Sequence, residues 1–158
     1  MPQPKRLPRT CLRILKLLTV ILFAIGGYLL FIKLTGRSRS LPARAAWLKR
    51  SARNFLWALG VEPAYTGNPP ARGVLVSNHI SYLDILVHAA HTPLVFISKA
   101  EVAHWPLFGM LTRWAGTLFI RREFRGDVVR IAAEMHQVIQ SGVVLAFFPE
   151  GTSSDGGD

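Results

Sequence analysis

The chain has 158 residues, half of them hydrophobic, and a formal net charge of +10 from 19 Lys and Arg against 9 Asp and Glu. That length allows one domain with a sizeable core and excludes two. The lone cysteine, Cys11, excludes an intrachain disulfide and a thiolate metal cluster. The basic excess implies an anionic partner. Its placement narrows the choice: twelve of the 19 cations lie between Lys5 and Arg53, on both sides of an apolar block. That pattern favours an anionic lipid surface. Nucleic acid is disfavoured because no recognition motif for it is present.

The apolar block comes first in the chain. Residues 17–32 carry no charge, and 12–32 are apolar apart from Arg13, Lys16 and Thr19. A buried span needs about 20 residues, so a membrane helix over about 12–32 is expected, with Arg13 and Lys16 snorkelling at one end. It reads as a retained anchor rather than a cleaved signal. The nearest small-x-small pattern, Ala43 to Ala45, lies beyond Lys33, Arg37 and Arg39. Five cations precede the block and seven follow it up to Arg53, so charge does not give its orientation. A helix dipping into one leaflet fits equally well.

A second helix is expected over about 41–59. Leu41, Ala45, Leu48, Ala52, Phe55, Leu56 and Leu59 recur at helical spacing and make one apolar stripe, with Arg44, Lys49, Arg50 and Arg53 beside or opposite it. Such a helix lies in a membrane interface or packs its stripe on its own domain; the pattern alone allows both. Gly60 and Pro63 end it.

After the turn-rich Thr66-Gly67-Asn68-Pro69-Pro70, short apolar runs alternate with amphipathic segments. Strands are predicted at 73–76, 94–97, 117–120 and 143–148. Helices are predicted at 81–90 and 101–114, the latter despite Pro106 and Gly109. A further helix face is marked by Val128, Ile131, Ala132, Met135, Val138 and Ile139. Alternating strands and helices argue for an α/β fold: a mixed, largely parallel sheet flanked by helices, preceded by N-terminal membrane-associated helices. In such folds reactive side chains gather where strands end.

Three polar clusters fall at those places. In Asn78-His79-Ile80-Ser81-Tyr82-Leu83-Asp84, a histidine leaves a strand and a carboxylate sits in the first turns of the next helix. The carboxylate can accept a hydrogen bond from one imidazole nitrogen and leave the other to take a proton. Gly116 to Arg122 ends in Arg121 and Arg122, which alternate faces; one of them can grip a phosphate. Phe148 to Gly156 breaks a buried strand with Pro, an acid, Gly and hydroxyls, a composition suited to an anion nest or to a plain turn. His88 and His91 lack a matching ligand set and read as surface residues, so no metal is implied.

In this order the clusters resemble the glycerolipid acyltransferase family that includes 1-acylglycerol-3-phosphate acyltransferases. Asn78, His79 and Asp84 match its Asn-His-x4-Asp motif, and Gly116, Phe119, Ile120 and Arg122 match Gly-x-x-Phe-[Ile/Val]-x-Arg. Phe148 to Thr152 matches Phe-Pro-Glu-Gly-Thr. Arg121 replaces the Asp often found in the second motif, and Ser153 the frequent Arg of the third. The resemblance implies a basic membrane-associated region over 1–63 and an acyltransferase catalytic domain over 64–158. It implies a membrane location with the catalytic domain on the cytoplasmic face. His79 is then the base and Asp84 its orienter. Arg122, Glu150 and Gly151 bind the acceptor, and Asn78 and Thr152 support their loops; apart from the resemblance, Lys99, just past the second strand, is a candidate for contacting phosphate or an oxyanion. The expected partners are membrane lipids and an acyl donor, acyl-CoA or acyl carrier protein, with no cofactor. The expected acceptor is a lysophospholipid such as 1-acylglycerol-3-phosphate. The alternatives are another lysolipid, for example an amino-acid-linked one, or an inactive lipid-binding fragment. Family members continue past the third motif into a fourth, so the chain is expected to be C-terminally truncated.

Overall fold

The computed structural model describes residues 6–121 and 123–149. Nine main elements follow in chain order: α1 (Arg6–Tyr28), α2 (Leu41–Leu59), β1 (Gly73–Val76), α3 (Tyr82–His91), β2 (Leu94–Lys99), α4 (Phe108–Ala115), β3 (Leu118–Ile120), α5 (Arg125–Gln140) and β4 (Val144–Phe147). The strands form one sheet in the order β1-β4-β2-β3. All its pairings are parallel, with Val76 opposite Phe147, Phe96 opposite Ala146 and Lys99 opposite Ile120. The central strands β4 and β2 are covered on both faces over Val144–Ala146 and Leu94–Phe96, which explains their apolar runs, whereas edge strand β1 leaves Val74 and Val76 exposed.

One face packs on α2 and α3 through Ala52, Leu56, Ala89, Ala90, Leu94, Phe96, Val144 and Ala146. The other is covered by α5, where Val138 is buried against Val95, Val143 and Leu145. The α2 stripe therefore packs on the sheet of its own chain: Ala45, Ala52 and Leu56 are buried, and only its last member, Leu59, is exposed. The opposite side of α2 buries Trp47 against α1.

The α1 helix runs on through a π-turn at Leu29–Lys33. From Thr10 to Lys33 it is a 24-residue apolar helix with mean hydropathy 2.3. At about 1.5 Å per residue this length suffices to cross a hydrocarbon core of about 30 Å. One face of it is docked. Val20, Ala24, Tyr28 and Ile32, spaced four apart, are buried. The Trp47 indole donates to the Ala24 carbonyl at 2.9 Å, and Tyr28 stacks on Trp114 at 4.3 Å. Such aromatic pairs contribute about 0.5–1.5 kcal/mol beyond area burial. The other face leaves Leu15, Leu18, Leu22, Phe23, Leu30 and Phe31 exposed. Lys16 does not extend outward as expected; its Nζ lies 4.9 Å from the Trp57 ring centre, turned back onto α2.

Two of the cations expected beside the α2 stripe are structural. The Arg44 guanidinium donates to the Trp114 carbonyl at 2.8 Å and to that of Arg113, the last turn of α4. Arg53 donates to Ala90 at 3.0 Å, near the end of α3. Each satisfies carbonyls that a helix C-terminus leaves without an intrahelical partner.

The helix expected over 101–114 is broken. A 3-10 turn spans Ala100–His104, and α4 begins only at Phe108. Between them Pro106 cannot donate to a helical ladder, and Leu107 takes φ 60, closing a γ-turn from the Phe108 amide to the Pro106 carbonyl at 2.6 Å. Gly109 permits this fold-back, since a Cβ there would run into the Ala103 carbonyl. Gly116, the first residue of the second motif, caps α4 at φ 92 and lies against Leu41 and Arg44. A side chain in that left-handed conformation would be strained.

Candidate active site

Because the strands are parallel, their C-terminal ends share one edge of the sheet. His79 follows β1, Lys99 ends β2, Arg121 follows β3 and Phe148 follows β4. The polar clusters thus converge, as strand ends do in open α/β sheets.

His79 is 9 % exposed. Its ring stacks on Phe148 with centroids 4.3 Å apart, and meets Tyr82 edge-on at 6.1 Å. Its Nδ1 faces Asp84 Oδ2 at 3.5 Å. This is long for a hydrogen bond, as catalytic pairs often are before substrate binds. Nε2 is then the nitrogen turned away from the carboxylate. Neither Phe148 nor Tyr82 was assigned a role from the sequence, although Phe148 opens the third motif.

Asp84 is held by its position in the chain. Ser81 caps α3, its hydroxyl accepting from the Leu83 amide at 3.2 Å. Asp84 is the third residue of the helix, and its Oδ2 turns back to accept from the amides of Ile80 and Ser81, both at 2.8 Å. The signature of this capping box, Ser-x-x-Asp, is legible at 81–84. Burial alone would raise the carboxyl. The Ser81 and Ile80 amides and His79 outweigh it and hold Asp84 below its ordinary value. The carboxylate is therefore ionised at neutral pH, ready to orient a neutral imidazole and stabilise a charged one.

His88, one helical turn beyond Asp84, is half-buried rather than a free surface residue. Its Nε2 is 3.0 Å from the Ser77 hydroxyl. Burial pushes its imidazole below the ordinary value, against Asp84 and with the help of His91. His91 stacks on Tyr65 at 3.9 Å.

Asn78 is exposed beside His79. Lys99 is exposed at the same sheet edge, two strands from β1, or about 10 Å along the sheet at ordinary strand spacing. Arg121 is committed elsewhere. Its guanidinium holds both Asp127 oxygens, at 2.9 and 3.1 Å, and its amide donates to the same carboxylate at 3.0 Å. Arg122, Glu150, Gly151 and Thr152 lie outside the described residues.

The sequence pattern of the family described as Acyltransferase matches residues 62–158. A lyso-ornithine lipid O-acyltransferase from Pseudomonas aeruginosa is 43% identical over 111 residues, covering 70% of this chain and 41% of that protein. A 1-acyl-sn-glycerol-3-phosphate acyltransferase from Neisseria gonorrhoeae is 37% identical over 148 residues, covering 93% of this chain and 57% of that protein. The crystal structure of the 1-acyl-sn-glycerophosphate (LPA) acyltransferase PlsC from Thermotoga maritima shares the fold, with a TM-score of 0.59 and 23% identity over 92% of this chain and 65% of that one. The chain thus spans between 41% and 65% of these three proteins. With 97 of its 158 residues matched by the family pattern (62 through 158), this chain belongs to the acyltransferase family.

Proposed function

We propose that the chain transfers a fatty acyl group from an acyl thioester, acyl-CoA or acyl-acyl carrier protein, to the free hydroxyl of a lysophospholipid such as 1-acylglycerol-3-phosphate. The observation that carries this reading is the buried His79, with Nδ1 facing the Asp84 carboxylate at 3.5 Å and its ring against Phe148. His79 Nε2 takes the proton of the acceptor hydroxyl as its oxygen bonds to the thioester carbonyl carbon. The tetrahedral intermediate then collapses, the carbon–sulfur bond breaks, and the imidazolium returns the proton to the departing thiolate. Asp84 stabilises the imidazolium between those steps. General base help of this kind contributes about 10²–10⁴-fold.

The remaining roles follow the family motifs. Arg122 grips the acceptor phosphate, Glu150 and Gly151 shape the acceptor site, and Asn78 and Thr152 support their loops; Lys99, from its place at the end of β2 and outside the motifs, contacts phosphate or the oxyanion. The Thr10–Lys33 helix supports a membrane location; the cytoplasmic face for the catalytic edge is carried over from the family resemblance alone. A second acceptor is favoured by a specific observation. Relatives named lyso-ornithine lipid O-acyltransferase reach 43% and 44% identity over 111 and 99 residues, with another at 36% over 83, against 37% over 148 residues for the Neisseria gonorrhoeae protein.

Incubation with labelled acyl thioester and, separately, 1-acylglycerol-3-phosphate, lyso-ornithine lipid or no acceptor tests the reading. Acceptor-dependent ester formation that disappears in His79→Ala is expected. Fatty acid release without acceptor would replace the proposal with a hydrolase, and transfer unaffected by His79→Ala would sink the mechanism.

A further inference from the structure

Asp84 and His88 lie four residues apart on α3, and so share the helix face that looks onto the loop leaving β1. Asp84 engages the far side of that loop, at the Ile80 and Ser81 amides. His88 engages the near side, its Nε2 3.0 Å from the Ser77 hydroxyl. That hydroxyl in turn donates to the Asn78 carbonyl at 3.1 Å. A hydroxyl has one proton. With that proton on Asn78, the contact with His88 runs from imidazole Nε2–H to the Ser77 oxygen. The peptide unit that carries His79 is thus gripped on both sides by one helix. Phe148 joins the two histidines, its ring 4.3 Å from that of His79 and 6.0 Å from that of His88.

We propose that His88 is a positioning residue for His79, acting through the Ser77 hydroxyl and the Asn78 peptide. This rests on His79 being the base. His88 touches neither substrate nor reacting atom; it sets where the His79 ring stands when the acceptor hydroxyl arrives. It stays an N–H donor whether neutral or charged, so the clamp holds across the working pH range.

The test is steady-state acyl transfer by the full chain carrying His88→Leu, His88→Gln, Ser77→Ala or Ser77→Ala with His88→Leu. A loosened base costs turnover rather than binding, so His88→Leu should lower kcat about 10-fold with both KM values little changed. A glutamine side chain places an N–H near the position of Nε2, so His88→Gln should recover most of that loss. Ser77→Ala should match His88→Leu, and the double variant should be no worse, because both remove one linkage. Normal kcat in His88→Leu, equal losses in the Leu and Gln variants, or independent losses in the double variant would each overturn the proposal. If His88→Leu fails to fold, the Gln and Ser77→Ala variants still decide it. His79→Ala run alongside separates the two readings: its turnover reports on the base alone.

Discussion

Two strand–turn–helix corners of this protein use the same device to different ends. At the β1–α3 corner, the third residue of the helix, Asp84, folds back onto the loop before it, accepts from the Ile80 and Ser81 amides and faces the His79 ring at 3.5 Å. At the β3–α5 corner, the third residue of the helix, Asp127, folds back and holds the Arg121 amide and guanidinium. Both carboxylates sit where the helix dipole favours them. Both are held below their ordinary values, Asp127 far below, by hydrogen bonds from the Arg121 guanidinium and amide. The partner makes the difference. A guanidinium stays charged at any working pH, so the Arg121 corner is a closed ion pair. A neutral imidazole keeps one ring nitrogen without a proton, so the same grip at His79 leaves a nitrogen with an open lone pair. A carboxylate at the third helical position is thus a positioning element, and the side chain before it decides whether the corner is a closed ion pair or, as proposed for His79, a site of proton transfer.

The largest effect that tests this contrast is expected from Asp84→Asn. The amide oxygen can still accept from Ile80 and Ser81, so thermal unfolding followed by circular dichroism should change little. The wrong imidazole tautomer would be favoured, and the equivalent change costs about 10⁴ in turnover in a serine-protease triad. Turnover near that of the unaltered protein would erase the distinction between the corners.

The two adjacent arginines should separate next. Arg122→Ala should raise the apparent KM for a phosphate-bearing acceptor roughly 10- to 100-fold, the loss of one or two hydrogen bonds to a charged group, and leave the donor KM alone. Arg121→Ala should move that KM much less, since its guanidinium is already occupied by Asp127. If Arg121 proved the more damaging site for acceptor KM, the ion pair at the β3–α5 corner would be part of the binding site instead.

The smallest effect concerns acid. A carboxyl whose value is depressed in the folded state stabilises above its unfolded value, about 4, and loses that contribution as pH falls toward the folded value. Thermal unfolding of the unaltered protein should therefore weaken below about pH 4. Asp127→Asn should start less stable at neutral pH and decline more shallowly on acidification, with kcat little changed. A parallel decline in both proteins would mean that the Arg121–Asp127 pair contributes nothing to the fold.

The strands, their order in the chain and the three motif clusters were legible because each depends on residues close together in sequence. Short apolar runs mark the strands, buried on both faces at the sheet's centre, and Ser81 with Asp84 spells a helix start. The same local reading failed over 101–114. There the apolar spacing suits a helix, while Pro106 and the tight approach of Gly109 to Ala103 break it into two pieces. It left open whether Arg44 and Arg53 face a membrane or the domain, a choice the carbonyls of Trp114 and Ala90 decide, and it read His88 as a surface residue.

What the sequence by itself determined is therefore the candidate site and its address: a histidine and a carboxylate five positions apart, at the end of a strand in an α/β acyltransferase. What only the tertiary structure decided is which groups those residues meet. Arg44 finds its carbonyl at Trp114, 70 positions away, and Phe148 reaches the His79 ring from the far end of the chain. Spacing along a chain constrains neighbours within a turn or two, because backbone geometry links them. Partners many tens of residues apart are set by how the sheet orders its strands and how the helices fill the space over them, and no local pattern encodes that.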